Sequence, residues 1–271
     1  MQRPGLVACD IDGTLLDATT RASRRTVDVV ARVVAAGVPF VLVTGRPPRW
    51  VPPVVGEIGH AGLAVCANGA VLYDAAADRV LAASTLDPVT LRDLATALAS
   101  ALPGAMLAAE RIGATALPRD EEFLAETGYA HPWPSPETPF APRDELLGHP
   151  AVKLLVRHPG MTSEAMAEAA NAVLAGEVGI TFSTSKGLLE LSAPGVSKAT
   201  GLAGVAERFG VAQEDVIAFG DMPNDLPMLS WAGHGVAMAN AHPSVLDGAD
   251  EVTAPNSEDG VALVLERWFS P

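Results

Sequence analysis

The chain has 271 residues, 49% hydrophobic and 18% charged, and its mean hydropathy is +0.25. That composition excludes global disorder and allows one large or two modest domains with no need of a disulfide or structural metal. The formal charge of −14, from 18 basic and 32 acidic residues, excludes a broad nucleic-acid footprint or an anionic membrane surface, yet leaves room for a small anionic substrate if a metal ion and a few cations reverse the sign locally.

The N-terminus makes a poor signal peptide, and no apolar run reaches 18 residues. Cys9 and Cys66 sit in apolar runs without metal-site spacing. The expectation is a reduced cytoplasmic protein with no membrane span.

Leu6–Cys9 is a continuous apolar run, the pattern of a strand covered on both faces. Val27, Val30, Ala31 and Val34 fall at helical spacing, with Gly37 as the stop. The run 38–43 predicts a second buried strand, closed by Thr44-Gly45-Arg46-Pro47. Residues 63–66 predict a third, ending at Asn68-Gly69.

A helix is predicted over 88–101 and a strand near 106–111. Pro132, Pro134, Pro136, Pro139, Pro142 and Pro150 then punctuate a loop-rich stretch. Residues 152–156 read as a strand, 163–175 as a helix, and 180–183 with 188–191 as paired strands. Leu202, Val205, Ala206 and Phe209 mark a helix ending at Gly210, and strands follow at 216–219 and 235–238. Ser257 reads as the N-cap of a last helix with the stripe Val261, Val264, Leu265 and Trp268.

Strand–helix alternation at both ends predicts an α/β fold, a Rossmann-like parallel sheet covered by helices on both faces. On this reading residues 1–83 and 190–271 form one discontinuous core domain, and 84–189 are inserted as a second α/β domain.

Asp10-Ile11-Asp12-Gly13-Thr14 directly follows the first buried strand, where ligand sites lie in parallel sheets. Two carboxylates one residue apart repel each other unless a cation sits between them. The plain alternative is an acidic turn. Gly220-Asp221-Met222-Pro223-Asn224-Asp225 again follows a buried strand. Acids at two strand ends can converge on one hard cation, and Asp10, the Asp12 backbone carbonyl and Asp221 suit Mg²⁺. Thr44 offers a strand-end hydroxyl beside the approachable amide of Gly45, and Lys198 opens a helix whose free N–H groups would face the same anion. Taken singly, each also reads as an ordinary turn or surface residue. No P-loop, nucleophile-elbow serine, zinc-protease or dinucleotide fingerprint occurs, and neither cysteine has an arginine six residues later.

These stretches, with Val43-Thr44-Gly45-Arg46 and Gly195-Val196-Ser197-Lys198, occur in an order that resembles the four motifs of the haloacid dehalogenase (HAD) superfamily. Asn68-Gly69-Ala70 and the long insertion resemble its Cof-type subfamily, cytosolic phosphatases with a large α/β cap. The resemblance spans essentially the whole chain. It implies that Asp10 is the nucleophile that becomes an aspartyl phosphate. Asp12 would be the acid that protonates the leaving alkoxide and the base that then activates water. It further implies that Thr44, Gly45, Arg46, Lys198 and Asn224 hold the phosphoryl group, that Asp10, Asp12 and Asp221 bind Mg²⁺, and that Asp225 supports them from behind. Asp12 then needs a proton at neutral pH, which a desolvating site would preserve.

The expected substrate is a small phosphorylated metabolite, above all a sugar phosphate, acted on by a monomer or homodimer with no nucleic-acid or membrane partner. The alternatives are a phosphosugar mutase with the same nucleophile and a non-catalytic phosphometabolite-binding protein. The stiff run 47–53 has Trp50 reading first as a packing residue. Arg111, His131, Lys153, Arg157 and Lys186 likewise read first as surface or packing residues and only second as substrate contacts.

Overall fold

The structure, a computed structural model, describes residues 2–117, 119–132, 139–174 and 176–270. The expectations that involve Pro134, Pro136 and Ala175 lie outside the described residues. Its strands are β1 (Leu6–Cys9), β2 (Phe40–Val43), β3 (Leu63–Cys66), β4 (Val71–Asp74), β5 (Arg79–Ala83), β6 (Met106–Glu110), β7 (Phe123–Ala125), β8 (Lys153–Arg157), β9 (Gly179–Thr181), β10 (Leu188–Ser192), β11 (Val216–Gly220), β12 (His234–Ala237) and β13 (Glu251–Val252). Its helices are α1 (Arg24–Ala35), α2 (Pro52–Ile58), α3 (Pro88–Ala101), α4 (Arg143–Leu146), α5 (Ser163–Leu174), α6 (Lys198–Phe209), α7 (Leu226–Trp231), α8 (Pro243–Gly248) and α9 (Gly260–Leu265).

The chain divides into two compact units, Met1–Ala82 with Ser197–Pro271, and Ala83–Val196. In the first, one sheet runs β13-β12-β11-β1-β2-β3-β4-β5. The pairs from β13 through β3 are parallel, and β4 returns antiparallel to β3. The central strands are apolar throughout because helices cover both faces; β1, β2 and β11 are buried at every position. Leu202, Val205 and Ala206 of α6 and Met228 and Leu229 of α7 pack on Leu6, Ala8, Val41, Val43, Val216 and Ala218. Helix α1 packs against α2 and α9.

The second unit is an antiparallel sheet, β7-β6-β8-β10-β9. Leu91, Leu94 and Leu98 of α3 and Met166 and Ala170 of α5 cover Leu107, Ala109, Leu154, Val156, Leu189 and Leu191. The alternate residues point to the opposite face, where Tyr129 packs on Ala108, Leu155 and Leu188. Most of the residues considered as substrate contacts are occupied in holding this unit together. Lys153 pairs with Glu190 at 2.6 Å. Arg111 donates to the Glu145 and Leu146 carbonyls, and Arg157 to those of Ala130, His158 and Gly187. His131 packs among the rings of Phe123 and Tyr129, and Lys186 is exposed.

Several expectations need correction. Helix α1 buries Thr26, Val29, Val30 and Val33, so only Val30 of the expected stripe faces the core. The closely spaced valines at 27, 29, 30, 33 and 34 fit more than one stripe, and the packed helix buries Val29, Val30 and Val33. Phe209, at the end of α6, is 45% exposed. Ser257 lies in a 3₁₀ turn over Asn256–Glu258, and α9 begins at Gly260 after Asp259, which makes no side-chain cap bond. The expected domain boundary at 189 would cut β10, which pairs with β8 and β9 and falls wholly within the second unit. Sequence reading missed β4, β5 and β7, and it missed α2, whose first turn holds Pro52 and Pro53, where proline's absent N–H has no helical partner to lose.

Candidate active site

Strand register decides what meets at the carboxyl edge of the first unit's sheet. Cys9 of β1 pairs with Phe219 of β11, and the Asp10 N–H continues the ladder to the Phe219 carbonyl at 3.0 Å. Asp10 and Asp221, 211 residues apart in the chain, therefore leave neighbouring strands side by side. On the other side of β1, β2 delivers Thr44 and β3 delivers Asn68. The connections diverge here, which in open α/β sheets opens the ligand-binding crevice.

Lys198 enters from α6. The helix is fixed at its start by a capping box: the Ser197 hydroxyl accepts from the Thr200 N–H, and the Thr200 hydroxyl accepts from the Ser197 N–H. Lys198 is 1% exposed and donates to Asp10 Oδ1 at 2.5 Å and to Asp225 Oδ1 at 2.6 Å. The remaining Asp225 oxygen, Oδ2, accepts from the backbone N–H groups of Asp221 and Met222, both at 3.0 Å. Asp221 Oδ1 accepts from the Thr14 hydroxyl at 3.1 Å. Gly13 has φ +79°, and a Cβ there would stand 2.3 Å from Asp221 Oδ2, so only glycine lets the loop after β1 pass this close.

Oxygen atoms of Asp10, Asp221 and Asp225 lie within 4.8 Å of one another, the only such group among the described residues. Three buried carboxylates face one ammonium. Burial pushes the Asp10 carboxyl well above the ordinary range, Lys198 pulls it back, and Asp225 and Asp221 add to the rise. Burial, then the Asp225 charge, pushes Asp221 up to about 7. For Lys198 burial acts to lower the pKa, but the charges of Asp10 and Asp225 outweigh it and the net shift is upward. This surplus of negative charge, presented by oxygen donors alone, fits a hard divalent cation such as Mg²⁺. Both Asp225 oxygens are engaged, so Asp10 and Asp221 are the carboxylates available to hold one.

Thr44 is 1% exposed. Its hydroxyl accepts from the Arg46 N–H at 3.0 Å, which leaves its own proton to donate. Gly45 lies beside Asn68. Asn224 Nδ2 donates one N–H to Asn68 Oδ1 at 3.1 Å, and Asn224 Oδ1 is buried without a hydrogen-bond partner. Asn68, with φ +58°, and Thr14 are site residues that sequence reading left without a role. The signal for Asn68 was an asparagine at a strand end, a residue type that tolerates left-handed backbone.

Two of the expected site residues pair with each other. Asp12 lies outside the acidic cluster, with a side chain 58% exposed. Arg46 directs its side chain to Asp12, Nε to Oδ2 at 2.8 Å and an Nη to Oδ1 at 2.5 Å. A guanidinium forked across a carboxylate forms a tighter contact than either charge finds in water.

A mostly parallel α/β sheet with aspartates and a lysine gathered at its carboxyl edge is the frame of a class of α/β hydrolases. Within it the chain belongs to the haloacid dehalogenase-like hydrolases, of the Cof type, whose family profile matches residues 7–265, and it is a hydrolase of the phosphatase class. It is 27% identical over 266 residues to a phosphoglycolate phosphatase of Methanothermobacter thermautotrophicus, covering 97% of this chain and 98% of that one. It is 47% identical over 83 residues to the 5-amino-6-(5-phospho-D-ribitylamino)uracil phosphatase YitU of Bacillus subtilis, a match covering 31% of each. The crystal structure of a haloacid dehalogenase-like hydrolase from Bacteroides thetaiotaomicron matches with a TM-score of 0.75 at 25% identity, covering 98% of this chain and all of that one. Among the described residues no helix is long and apolar enough to cross a membrane.

Proposed function

We propose that the protein is a Mg²⁺-dependent phosphomonoesterase that hydrolyses a small phosphorylated metabolite, a sugar phosphate above all, through an aspartyl phosphate on Asp10. The observation that carries this reading is the Lys198 ammonium, bound to Asp10 and Asp225 beside Asp221 at the ends of two adjacent strands. Phosphoglycolate and the ribitylaminouracil phosphate, named for the two relatives, are both small phosphorylated compounds, which supports the substrate class. The Ala83–Val196 unit is the inserted cap of this reading.

Asp10 Oδ1 is fixed by Lys198, so the carboxylate is oriented before substrate arrives. A carboxylate approaching a phosphate dianion meets charge repulsion, and Lys198 lowers it from within the site. Mg²⁺, held by Asp10, Asp221 and the Asp12 carbonyl, would supply the rest of that charge compensation and polarise the phosphoryl oxygens. The Thr44 hydroxyl and the spare N–H of Asn224 are placed to donate to phosphoryl oxygens, with the Gly45 amide beside them. Asp225 positions Lys198 and the backbone of Asp221 without touching substrate. Asp12 gives its proton to the leaving alkoxide and takes one from the water that cleaves the acyl phosphate, which splits one slow hydrolysis into two easier transfers.

Phosphate release from a panel of phosphosugars, phosphoglycolate and nucleotides, with Mg²⁺ or EDTA, tests the reading beside Asp10→Asn. The expected result is Mg²⁺-dependent release that Asp10→Asn lowers by about 10³-fold or more, the scale of losing an essential nucleophile. Equal release by the variant, or full release in EDTA, overturns it.

A further inference from the structure

We propose that Asn240 and Asn256 are positioning residues for the metal site, a carboxamide bracket that holds the loop after β1 against Asp221. The inference rests on the Mg²⁺ part of the reading above and adds two residues that it leaves without a role.

Asn240 follows β12, and Asn256 opens the 3₁₀ turn that follows β13. Their side chains lock to each other and to the loop after β1. Asn240 Nδ2 donates to the Gly13 carbonyl at 2.8 Å, and its Oδ1 accepts from the Asn256 N–H at 2.9 Å. Asn256 Nδ2 in turn donates to the Leu16 carbonyl at 2.7 Å. Asn240 spends its donor and its acceptor on different partners, so only one orientation of its amide satisfies both. Residues 13–16 are thus gripped at both ends by side chains 227 and 240 residues away in the chain.

What lies between the two grips touches the acidic cluster. Thr14 is 2% exposed, and its hydroxyl donates to Asp221 Oδ1 at 3.1 Å. Gly13 runs so close to Asp221 Oδ2 that no Cβ would fit between them. The segment that carries Asn240 also holds Asp221 from its own side, because the His242 N–H donates to the Asp221 carbonyl at 2.8 Å. Residues 240–242 therefore tie the loop after β1 to the end of β11. With that tie they set the spacing of Asp10 and Asp221, the carboxylates available to a cation.

Such a spacing needs a tie from outside the cluster. Lys198 binds Asp10 and Asp225, while Asp221 adds like charge beside them, and like charges push the two strand ends apart. Stability alone is a poor account of the bracket: Asn240 is exposed, and hydrogen bonds so open to water contribute modestly to folding. Holding ligands in place before the ion arrives raises affinity for the ion, the usual effect of groups that orient metal ligands.

The test is calorimetric titration of the EDTA-stripped whole chain with MgCl₂ alone. The proteins compared are the wild type, Asn240→Ala, Asn240→Gln, Asn256→Ala, Thr14→Val, the Asn240→Ala/Thr14→Val pair and Asn171→Ala. Asn171 is exposed and donates to the Ala167 carbonyl of α5, so its variant controls for loss of an ordinary carboxamide bond. Asn240→Ala and Asn256→Ala are each expected to raise the Kd for Mg²⁺ about tenfold. Asn240→Gln, which keeps both groups on a longer arm, should raise it less, and Asn171→Ala not at all. Because the bracket acts through Thr14, Asn240→Ala should add less than about twofold in the Thr14→Val background.

An unchanged Kd in both alanine variants overturns the proposal, even with a lowered unfolding midpoint, since the bracket would then be structural only. An equal rise in Asn171→Ala, or full additivity with Thr14→Val, also overturns it. Asn256→Ala leaves the Asn240 bonds in place and carries the test if Asn240→Ala does not fold. If the wild type itself binds no Mg²⁺, the Mg²⁺ reading fails; if it binds and the variants match it, only this inference fails.

Discussion

Lys198 has almost no access to water and keeps its charge because two carboxylates hold it. Replacing Asp225 by alanine removes one of them and also leaves the Asp221 and Met222 N–H groups without their acceptor. Breaking a buried pair from one side costs about 3–5 kcal/mol. The lower end applies, about 3 kcal/mol, because Asp10 remains and because Asp225 otherwise raises the cost of charging Asp10 and Asp221. Urea unfolding of Asp225→Ala checks this; a loss under 1 kcal/mol would mean that the ammonium finds another partner. At this scale the acidic residues were legible in the chain, since Asp10 and Asp221 each end an apolar run. The tie of Asp225 Oδ1 to Lys198, the turn of Arg46 toward Asp12 and the contribution of Asn68 were not, because each depends on a partner 27 to 156 residues away.

Helix α6 converts backbone order into catalytic position. Its capping box satisfies donors that a helix start leaves open, and the first residue inside the cap is Lys198. Ser197→Ala is expected to cost about 1 kcal/mol in urea unfolding, the usual value of a lost N-cap. It should also lower kcat with a smaller effect on KM, since Lys198 meets Asp10 at its side-chain tip and fraying moves the whole stem. Unchanged kcat would show that Asp10 and Asp225 alone hold the lysine. The same helix start fits against β3 only because residue 69 is glycine: φ is +105°, and a Cβ there would lie 2.0 Å from the Ser197 carbonyl oxygen. Elements with strong, isolated signals, such as β1, β2, β3, β11 and α3, were readable from apolar runs and spacing. The short β7, the β4–β5 pair and the rotation of α1 were not, because their faces are chosen by neighbours rather than by their own periodicity.

The molecule as a whole carries −14 and concentrates three carboxylates at one site in its first unit. Without a cation, the raised pKa of Asp221 means that the folded state binds a proton that the unfolded chain, with an ordinary carboxyl near 3.8, has already released. Between those values the folded form holds more protons, so this group's contribution to stability falls as pH rises from about 4 to about 7. In EDTA the stability difference between wild type and Asp221→Asn should therefore shift against the wild type from pH 5 to pH 7.5. Adding Mg²⁺ at pH 7.5 should raise the wild-type unfolding midpoint and leave Asp221→Asn nearly unmoved, because only an ion bound to the folded state stabilises it. Denaturant titrations at the two pH values decide the matter; a midpoint insensitive to Mg²⁺ would remove Asp221 from the metal site.

The α/β fold class, the strand ends that bear the acids and the identity of the helix that brings the lysine are determined by the sequence alone, because apolar runs, helical spacing and the residues after them act locally. Tertiary structure alone decided that β1 lies between β2 and β11, and so which carboxylates share one ammonium, which oxygens remain to hold a cation, and where the Arg46 fork points. The reason is physical: burial and opposite charge fall off within a few ångströms, and only strand register brings residues 10, 198, 221 and 225 to that distance.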